Sequence, residues 1–163
     1  MCESFDGPPP VGQVKAVDPQ ADALMVEAKS YQKEGKMSKS RGPLKKIVRY
    51  HSLAPNAPEA RFLLGKAYEA TEDYRDAFKE YGKLIDRYPQ SELYADALNR
   101  QLAMAMDAAS GKLTVPVFWG AWNTSMESGV VVKWLREIVE KAPYNDMAAT
   151  ASSILAKYLV DQD

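Results

Sequence analysis

The chain has 163 residues, of which 46% are hydrophobic, and this is enough for one folded domain with its own core. Its 21 Lys and Arg residues nearly cancel its 22 Asp and Glu residues, so the charge balance predicts no nucleic-acid binding and no attraction to an anionic bilayer. The sequence has no run of about 18 apolar residues, which excludes a transmembrane helix within it.

The single cysteine, Cys2, cannot form an intramolecular disulfide or a thiolate metal cluster. Two interpretations are open: a chance surface thiol, or the lipidated first residue of a mature bacterial lipoprotein, with Met1 in place of a removed signal peptide. The polar, proline-rich residues that follow favour the second, because three consecutive prolines force extended backbone. We therefore expect a flexible tether over residues 1–20 and a folded domain over residues 21–163.

Three predicted helical stretches end in a proline, at Pro55, Pro89 and Pro143. The first two prolines are 89 − 55 = 34 positions apart, and this period is typical of tetratricopeptide repeats (TPRs), in which each unit is a pair of helices, A and B. Four units are predicted on this basis, over about residues 21–57, 58–91, 92–143 and 144–163.

The first unit has a small residue, Ala28, on helix A and the apolar Leu44 on helix B. Its length from Ala28 to Pro55 is 55 − 28 = 27, against 89 − 65 = 24 for the matching residues of the second unit. Three inserted residues are therefore expected in the loop 36–42, where an insertion costs little. Pro43 is expected in the first turn of helix B.

The second unit carries the repeat pattern most fully, and its matching residues are Leu64, Gly65, Tyr68, Tyr74, Ala77, Tyr81, Leu84 and Pro89. Gly65 and Ala77 are small where two antiparallel helices would cross closely, and the larger residues would fill the space between the helices. The sequence therefore predicts an all-α fold, a right-handed TPR superhelix of antiparallel helix pairs.

The third unit contains an insertion, because its prolines are 143 − 89 = 54 positions apart and thus exceed the 34-residue period by 54 − 34 = 20. We place the extra residues at 110–129, between helix A at 93–109 and helix B at 130–141. Five apolar residues stand in this segment: Val115, Val117, Phe118, Trp119 and Trp122. They are predicted to be the main partner-binding element. The alternative is that they fold back onto the helices of the chain as a satellite core.

The fourth unit gives one helix, at about residues 147–160. Either this helix is the polar-faced cap that terminal repeats require, or the natural protein continues and the chain is a fragment. We favour the fragment, because residues 160–163 resemble the turn that normally precedes helix B.

Taken together, the helical units, the Ser-x-x-Tyr-Ala start at Ser91 to Ala95, the aromatic insertion and Cys2 resemble the BamD (YfiO-like) lipoproteins of the outer-membrane β-barrel assembly machinery. The resemblance covers about Ala21 to Asp163. It implies a lipid anchor on Cys2 and a bacterial outer-membrane location facing the periplasm. It also implies protein partners, either a β-barrel assembly partner or unfolded outer-membrane clients. The chain departs from that family in three features: Asn99 stands in place of a small residue, the first loop is enlarged, and there are fewer than five complete repeats.

Two other functions stay open, a periplasmic or cell-envelope TPR receptor for peptides or client proteins and a generic soluble TPR adaptor. In the receptor, the A helices would line a groove. The candidate groove residues are Met25, Lys29, Phe62, Lys66, Glu69 and Arg100. The three basic residues would suit a clamp for a carboxylate, or they are ordinary solvated charges.

No catalytic arrangement is present in the sequence. His51 is the only histidine, so His-based metal sites and Ser-His or Cys-His pairs have at most one member. No glycine-rich phosphate loop occurs either. We expect no enzymatic activity, no metal and no cofactor, and we expect His51 to be a half-buried packing or surface residue.

Overall fold

The computed structural model describes residues 17–117, 122–142 and 146–161. Seven helices lie in these ranges: α1 (Pro19–Lys33), α2 (Met37–Tyr50), α3 (Ala57–Glu69), α4 (Tyr74–Arg87), α5 (Tyr94–Ala109), α6 (Ser128–Lys141) and α7 (Asp146–Val160). Between α5 and α6 the chain forms two short strands, β1 (Thr114–Val117) and β2 (Trp122–Ser125). The prediction of an all-α fold of adjacent helix pairs is confirmed, with the hairpin as an addition that helical periodicity did not predict.

The chain forms two compact units that divide between Ala97 and Leu98. In the first unit, α1 packs on α2, α2 on α3 and α3 on α4. In the second unit, α6 packs on α7. Links of three or four residues, as between α1 and α2 and between α3 and α4, force consecutive packed helices to run antiparallel. The right-handed winding of the pairs stays a prediction.

The helices of the first unit repeat every 37 residues. Helix α2 begins at Met37 and α4 at Tyr74 (74 − 37 = 37), and they end at Tyr50 and Arg87 (87 − 50 = 37). The period places Ser40 at the position of Ala77, and both residues are fully buried. The small residue of the first helix B is therefore Ser40.

The predicted three-residue insertion in the loop 36–42 is wrong, and so is the placement of Pro43 in a first helical turn. Residues 37–42 belong to α2, and Pro43 lies inside that helix. The 34-residue spacing of the prolines differs from the 37-residue repeat of the helices, because Pro55 and Pro89 occupy different positions in links of equal length, residues 51–56 and 88–93. Gly42 helps α2 to tolerate Pro43, since it has no Cβ to clash with the proline ring.

The turns between helices A and B also follow the 37-residue period. Gly35 and Glu72 both have positive φ angles, of 73° and 60°. The next amide in each turn donates to a carbonyl in the preceding helix, Lys36 N to Tyr31 O at 2.8 Å and Asp73 N to Tyr68 O at 3.0 Å. Glycine adopts this conformation readily, whereas glutamate does so at a cost.

The close crossing of α3 and α4 confirms the predicted role of Gly65. A Cβ atom added at Gly65 would lie 2.6 Å from Tyr81 Cε1 and 2.8 Å from Tyr81 Cζ. Tyr81 and Ala77 are both fully buried, and the ring of Tyr81 lies 5.5 Å from that of Phe62. The absence of a side chain at Gly65 thus makes room for the tyrosine ring.

The second unit has an apolar core, and its last two helices begin slightly before the predicted positions. Helix α6 starts at Ser128, two residues before the predicted 130, and α7 starts at Asp146, one residue before the predicted 147. Three large apolar residues of α6 are buried: Trp134, Leu135 and Ile138. Among the described residues, no helix is both long enough and apolar enough to cross a bilayer.

Candidate protein-binding surfaces

A buried ion pair holds the helices of the first unit in place. Arg61 Nη1 on α3 donates to Glu80 Oε2 on α4 at 2.7 Å, and the two side chains are 2% and 11% exposed. Arg61 Nη2 also donates to the carbonyl oxygen of Val48 on α2 at 3.4 Å. Lys83 Nζ binds the other oxygen of Glu80 at 3.1 Å. Three helices therefore meet at one guanidinium group, and this fixes the surface that they present.

Tyr88, at the end of α4, extends this network. Its hydroxyl donates to the carbonyl oxygen of Ser52 at 2.8 Å, in the link between α2 and α3. Burial raises the pKa of Tyr88 above its ordinary value of 10.0, and the positive charges of Arg61 and Arg87 partly oppose the rise. The neutral phenol is thus the form that the fold favours.

Tyr68 is held by cations from α2. The guanidinium carbon of Arg41 lies 4.6 Å from the centre of the Tyr68 ring, and Lys45 Nζ lies 5.3 Å from it. Arg41 also forms an ion pair with Asp73, at 2.6 Å. This arrangement joins the side of α2 to the turn before α4, so it is a structural contact.

The predicted groove residues lie in different environments. Met25 is 5% exposed, so it packs inside the first unit. Lys29 Nζ forms an ion pair with Glu59 at 2.7 Å, and both side chains are nearly half exposed. Phe62 is half-buried beside Tyr81. Arg100 is exposed on α5, in the second unit.

Two of the predicted groove residues, Lys66 and Glu69, line a cleft of about 370 Å³ in the first unit. The rest of its lining comes from the ends of the neighbouring helices: Gln32, Met37, Ala70 and Tyr74. Among these lining residues, Lys66 is the only cation and Glu69 is the only carboxylate. The cleft can therefore accept a polar or aromatic side chain, but its charges do not form a carboxylate clamp of several converging cations.

The predicted partner-binding segment forms an antiparallel hairpin in the described residues. Its register pairs Val117 with Trp122 and Val115 with Thr124. Val115 is half-buried, and the residues that flank the strands, Leu113 and Met126, are 6% and 4% exposed. Phe118 and Trp119 lie outside the described residues, so the partner-binding role of this segment stays a prediction.

His51 has a structural partner. Its Nδ1 lies 3.0 Å from Asp18 Oδ2, and the other carboxylate oxygen of Asp18 accepts from the amide of Ala21 at the start of α1. The histidine at the end of α2 is thus joined to the N-cap of α1. Cys2 lies outside the described residues. Within the described part of the chain, no group of three or more His, Cys, Asp or Glu side chains could hold a metal ion.

Sequence reasoning missed the Arg61–Glu80 pair. The signal was present, because Arg61 stands three residues before Leu64 on the buried stripe of α3, where an apolar residue is usual. A charged residue in such a stripe indicates a buried partner.

Comparison with known proteins identifies one repeat in the chain. The family profile described as tetratricopeptide repeat matches residues 59–91. No curated protein matches the chain. The matched range contains most of α3, all of α4 and the start of the following link. The α3–α4 pair, which carries the close crossing of Gly65 and Tyr81, is therefore a tetratricopeptide repeat within an all-α fold of helix pairs.

Proposed function

We propose that this protein is a non-catalytic scaffold that binds other proteins. The observation that carries the proposal is the tetratricopeptide repeat at residues 59–91, since such repeats generally present helical surfaces to protein partners. The buried Arg61–Glu80 pair supports it, because a rigid helix pair holds its surface ready for a partner at a low entropic cost.

The finer proposal is a BamD-like lipoprotein of the outer membrane that faces the periplasm and acts in the insertion of β-barrel proteins. Its support is the resemblance in sequence: the helical units, the aromatic insertion, and Cys2 before a proline-rich segment. A lipid on Cys2 would be the only membrane contact. One acyl chain binds a bilayer marginally, so stable anchoring needs the several chains that bacterial lipoproteins carry.

The hairpin between α5 and α6 is the proposed main contact with that partner. Five apolar residues stand between Val115 and Trp122, and each is worth roughly 1.5 to 3 kcal/mol when it is fully buried. Exposure of such a group to water is costly, and aromatic side chains are the usual anchors of protein interfaces. A β-barrel assembly protein, or an unfolded client of one, would cover them.

The test is capture of a partner from the native cell envelope by the protein and by its Trp119→Ala, Trp122→Ala double variant. We expect the parent to retain one barrel protein in stoichiometric amount, and the double variant to lose it with nearly the same melting temperature. Tyr50→Ala is the matched control, because Tyr50 is an aromatic residue that is 58% exposed on another helix. If the double variant unfolds, the hairpin is a structural element of the fold, and the partner-binding site must be sought on the helical surfaces.

The lipid anchor is tested separately by fractionation in the native host. The protein with its own signal peptide should sediment with membranes, and Cys2→Ser should release it. Retention of Cys2→Ser in the membrane fraction would remove the lipoprotein proposal and leave a soluble TPR adaptor.

The cleft in the first unit favours a second function, a receptor for extended peptides of client proteins. Lys66 and Glu69 offer one positive and one negative group beside Tyr74 in a space of about 370 Å³. Capture of many short peptides, lost in Tyr74→Ala and retained in the hairpin double variant, would support the receptor over the scaffold.

A further inference from the structure

Helix α2 and the residue before it hold the longest run of one charge sign in the chain. Six cations follow one another without an intervening carboxylate: Lys36, Lys39, Arg41, Lys45, Lys46 and Arg49. No other run in the sequence exceeds three charges of one sign. Because the net charge of the chain is −1, this concentration of positive charge is local to α2.

Four of these cations are exposed and have no acidic partner. Lys36 pairs with Glu34 and Arg41 with Asp73, each at 2.6 Å. The remaining four form no ion pair with any carboxylate of the described residues, and we call them the basic stripe: Lys39, Lys45, Lys46 and Arg49. Lys45 Nζ and the Arg49 guanidinium each lie 5.3 Å from the centre of a tyrosine ring. The basic stripe spans 49 − 39 = 10 positions of α2, or about 15 Å.

The equivalent positions of α4 and α6 carry mixed charges. The three helices have equal lengths, and shifts of 37 positions to α4 and 128 − 37 = 91 positions to α6 superpose on buried residues the buried residues of α2: Ser40, Pro43, Leu44 and Ile47. The same shifts take the basic stripe to Asp76, Gly82, Lys83 and Asp86 on α4, and to Val130, Arg136, Glu137 and Glu140 on α6. Each of these sets has one cation and two carboxylates. The four cations of α2 are therefore not a requirement of this position in the fold.

The single sign of the basic stripe opposes the stability of the helix. Lys45 and Lys46 stand four and three positions before Arg49, and like charges at this spacing repel each other on a helix. On α6 the same spacing joins opposite charges, since Lys141 Nζ binds Glu137 at 2.8 Å. An arrangement of charge that does not serve the fold indicates a ligand of the opposite sign.

We propose that the basic stripe of α2 is a docking surface for an acidic segment of a partner protein. This inference rests on the protein-binding function proposed above, and it adds the chemistry of the segment that the partner contributes. Several Asp or Glu side chains within about 15 Å would face the four cations. The attraction would speed association and would weaken as the salt concentration rises.

A second copy of this chain does not offer such a segment. Only two stretches of the sequence hold three carboxylates without a cation between them, residues 18–27 and 69–73. In both stretches carboxylates already have partners within the chain: Asp18 contacts His51, Asp22 accepts from Asn56, and Asp73 pairs with Arg41. Residues 1–16 contain only two carboxylates and a lysine, so they do not match four cations.

The charge of the whole chain favours a partner protein over a bilayer or a nucleic acid. Both of these polyanions are larger than the domain, so they would face exposed carboxylates of neighbouring helices, such as Glu27 and Asp76, as well as α2. The net charge of −1 gives them no overall attraction. A short acidic segment can contact α2 alone. An acidic protein segment therefore matches the basic stripe best.

The test is fluorescence anisotropy of the full chain with a labelled peptide of alternating aspartate and glutamate, about eight residues long so that it spans the basic stripe. We expect saturable binding that weakens as salt is added, and no binding of a matched peptide of asparagine and glutamine. The double variant Lys39→Glu, Lys46→Glu should bind the acidic peptide at least about tenfold more weakly. Lys39→Gln with Lys46→Gln, which adds no carboxylate, should weaken binding in the same direction.

The matched control is the double variant Lys79→Glu, Lys133→Glu. It changes the net charge by the same amount at two exposed lysines of α4 and α6, and both lysines stand at the position of Gly42 (79 − 42 = 37 and 133 − 42 = 91). We expect this control to bind the acidic peptide within about twofold of the parent. If the two glutamate variants weaken binding equally, the attraction comes from net charge and the inference is overturned.

Other outcomes also overturn the inference. They are the absence of peptide binding, equal binding of the neutral peptide, and tighter binding of duplex DNA or of vesicles of phosphatidylcholine and phosphatidylglycerol. A dimer in light scattering that Lys39→Glu with Lys46→Glu dissociates would assign the basic stripe to a second copy. The hairpin double variant should bind the peptide as the parent does. A parent that captures its partner but not the peptide would therefore remove the basic stripe alone and leave the hairpin proposal standing.

Discussion

Gly65→Ala adds one methyl group at the closest helix crossing of the first unit. The new Cβ would lie 2.6 Å from Tyr81 Cε1, well inside van der Waals contact. Tyr81 is fully buried with the Phe62 ring 5.5 Å away, so the tyrosine ring has little space into which to move. Helix propensity favours alanine over glycine by about 1 kcal/mol, whereas overpacking a filled core costs about 1 to 3 kcal/mol. The net expectation is a loss of up to about 2 kcal/mol in the free energy of unfolding.

Urea unfolding of Gly65→Ala and of a control variant measures this cost. Gly129→Ala is the control, because a Cβ added at Gly129 in α6 meets no atom within 4 Å and should be neutral or stabilising by up to about 1 kcal/mol. Combining Gly65→Leu with Tyr81→Leu should recover much of the stability that Gly65→Leu alone loses, since a smaller side chain at residue 81 leaves room for the side chain added at residue 65. If Gly65→Ala proves as stabilising as Gly129→Ala, the crossing is not tight and the assignment of the repeat positions fails.

Three further predictions concern the first unit. Glu80→Gln should lower the free energy of unfolding by about 3 to 5 kcal/mol in a urea titration, because it leaves the buried charge of Arg61 without its carboxylate. The double variant Arg61→Met, Glu80→Met should lower that free energy much less, because it removes both charges. Glu72→Gly should stabilise by about 1 kcal/mol, because Glu72 has φ 60° and the matching Gly35 has φ 73°; an unchanged melting temperature would contradict the strain. Because the pKa of Tyr88 is raised, the folded state holds the phenol proton more tightly, so the contribution of Tyr88 to stability should be constant below about pH 10 and fall above it. Tyr88→Phe should reduce that alkaline loss, and an identical loss in both proteins would refute the assignment.

Residue size at the helix crossing was predictable from the sequence. Gly65, Ala77 and Tyr81 occur at positions where the repeat pattern demands small and large residues, and the structure places them in contact or fully buried. Such a pattern is local to one helix pair, so it can be read without knowing any long-range contact. For the same reason, the predicted boundaries of α5, α6 and α7 lie within two residues of the observed boundaries.

Features that depend on the exact register or on distant partners were not predictable. Pro55 and Pro89 indicated a 34-residue period, but a proline can stand anywhere in a helix link, and the helices themselves repeat every 37 residues. The Arg61–Glu80 pair joins residues 19 positions apart, and neither residue alone shows its partner. The pairing of β1 with β2 could not be predicted, because Pro116 interrupts the strand pattern of β1.

The equivalent helix A positions Ala28 and Gly65, 37 residues apart, bear on how such a chain keeps its helices in order. They offer different volumes at the same site, and the following B helix carries a fully buried residue of complementary size at one equivalent position, Leu44 after Ala28 and Tyr81 after Gly65. Exchanging Leu44 and Tyr81 would place a ring against Ala28 and leave a space beside Gly65, and both errors cost free energy. The pairing of neighbours is therefore encoded in volume as well as in sequence order.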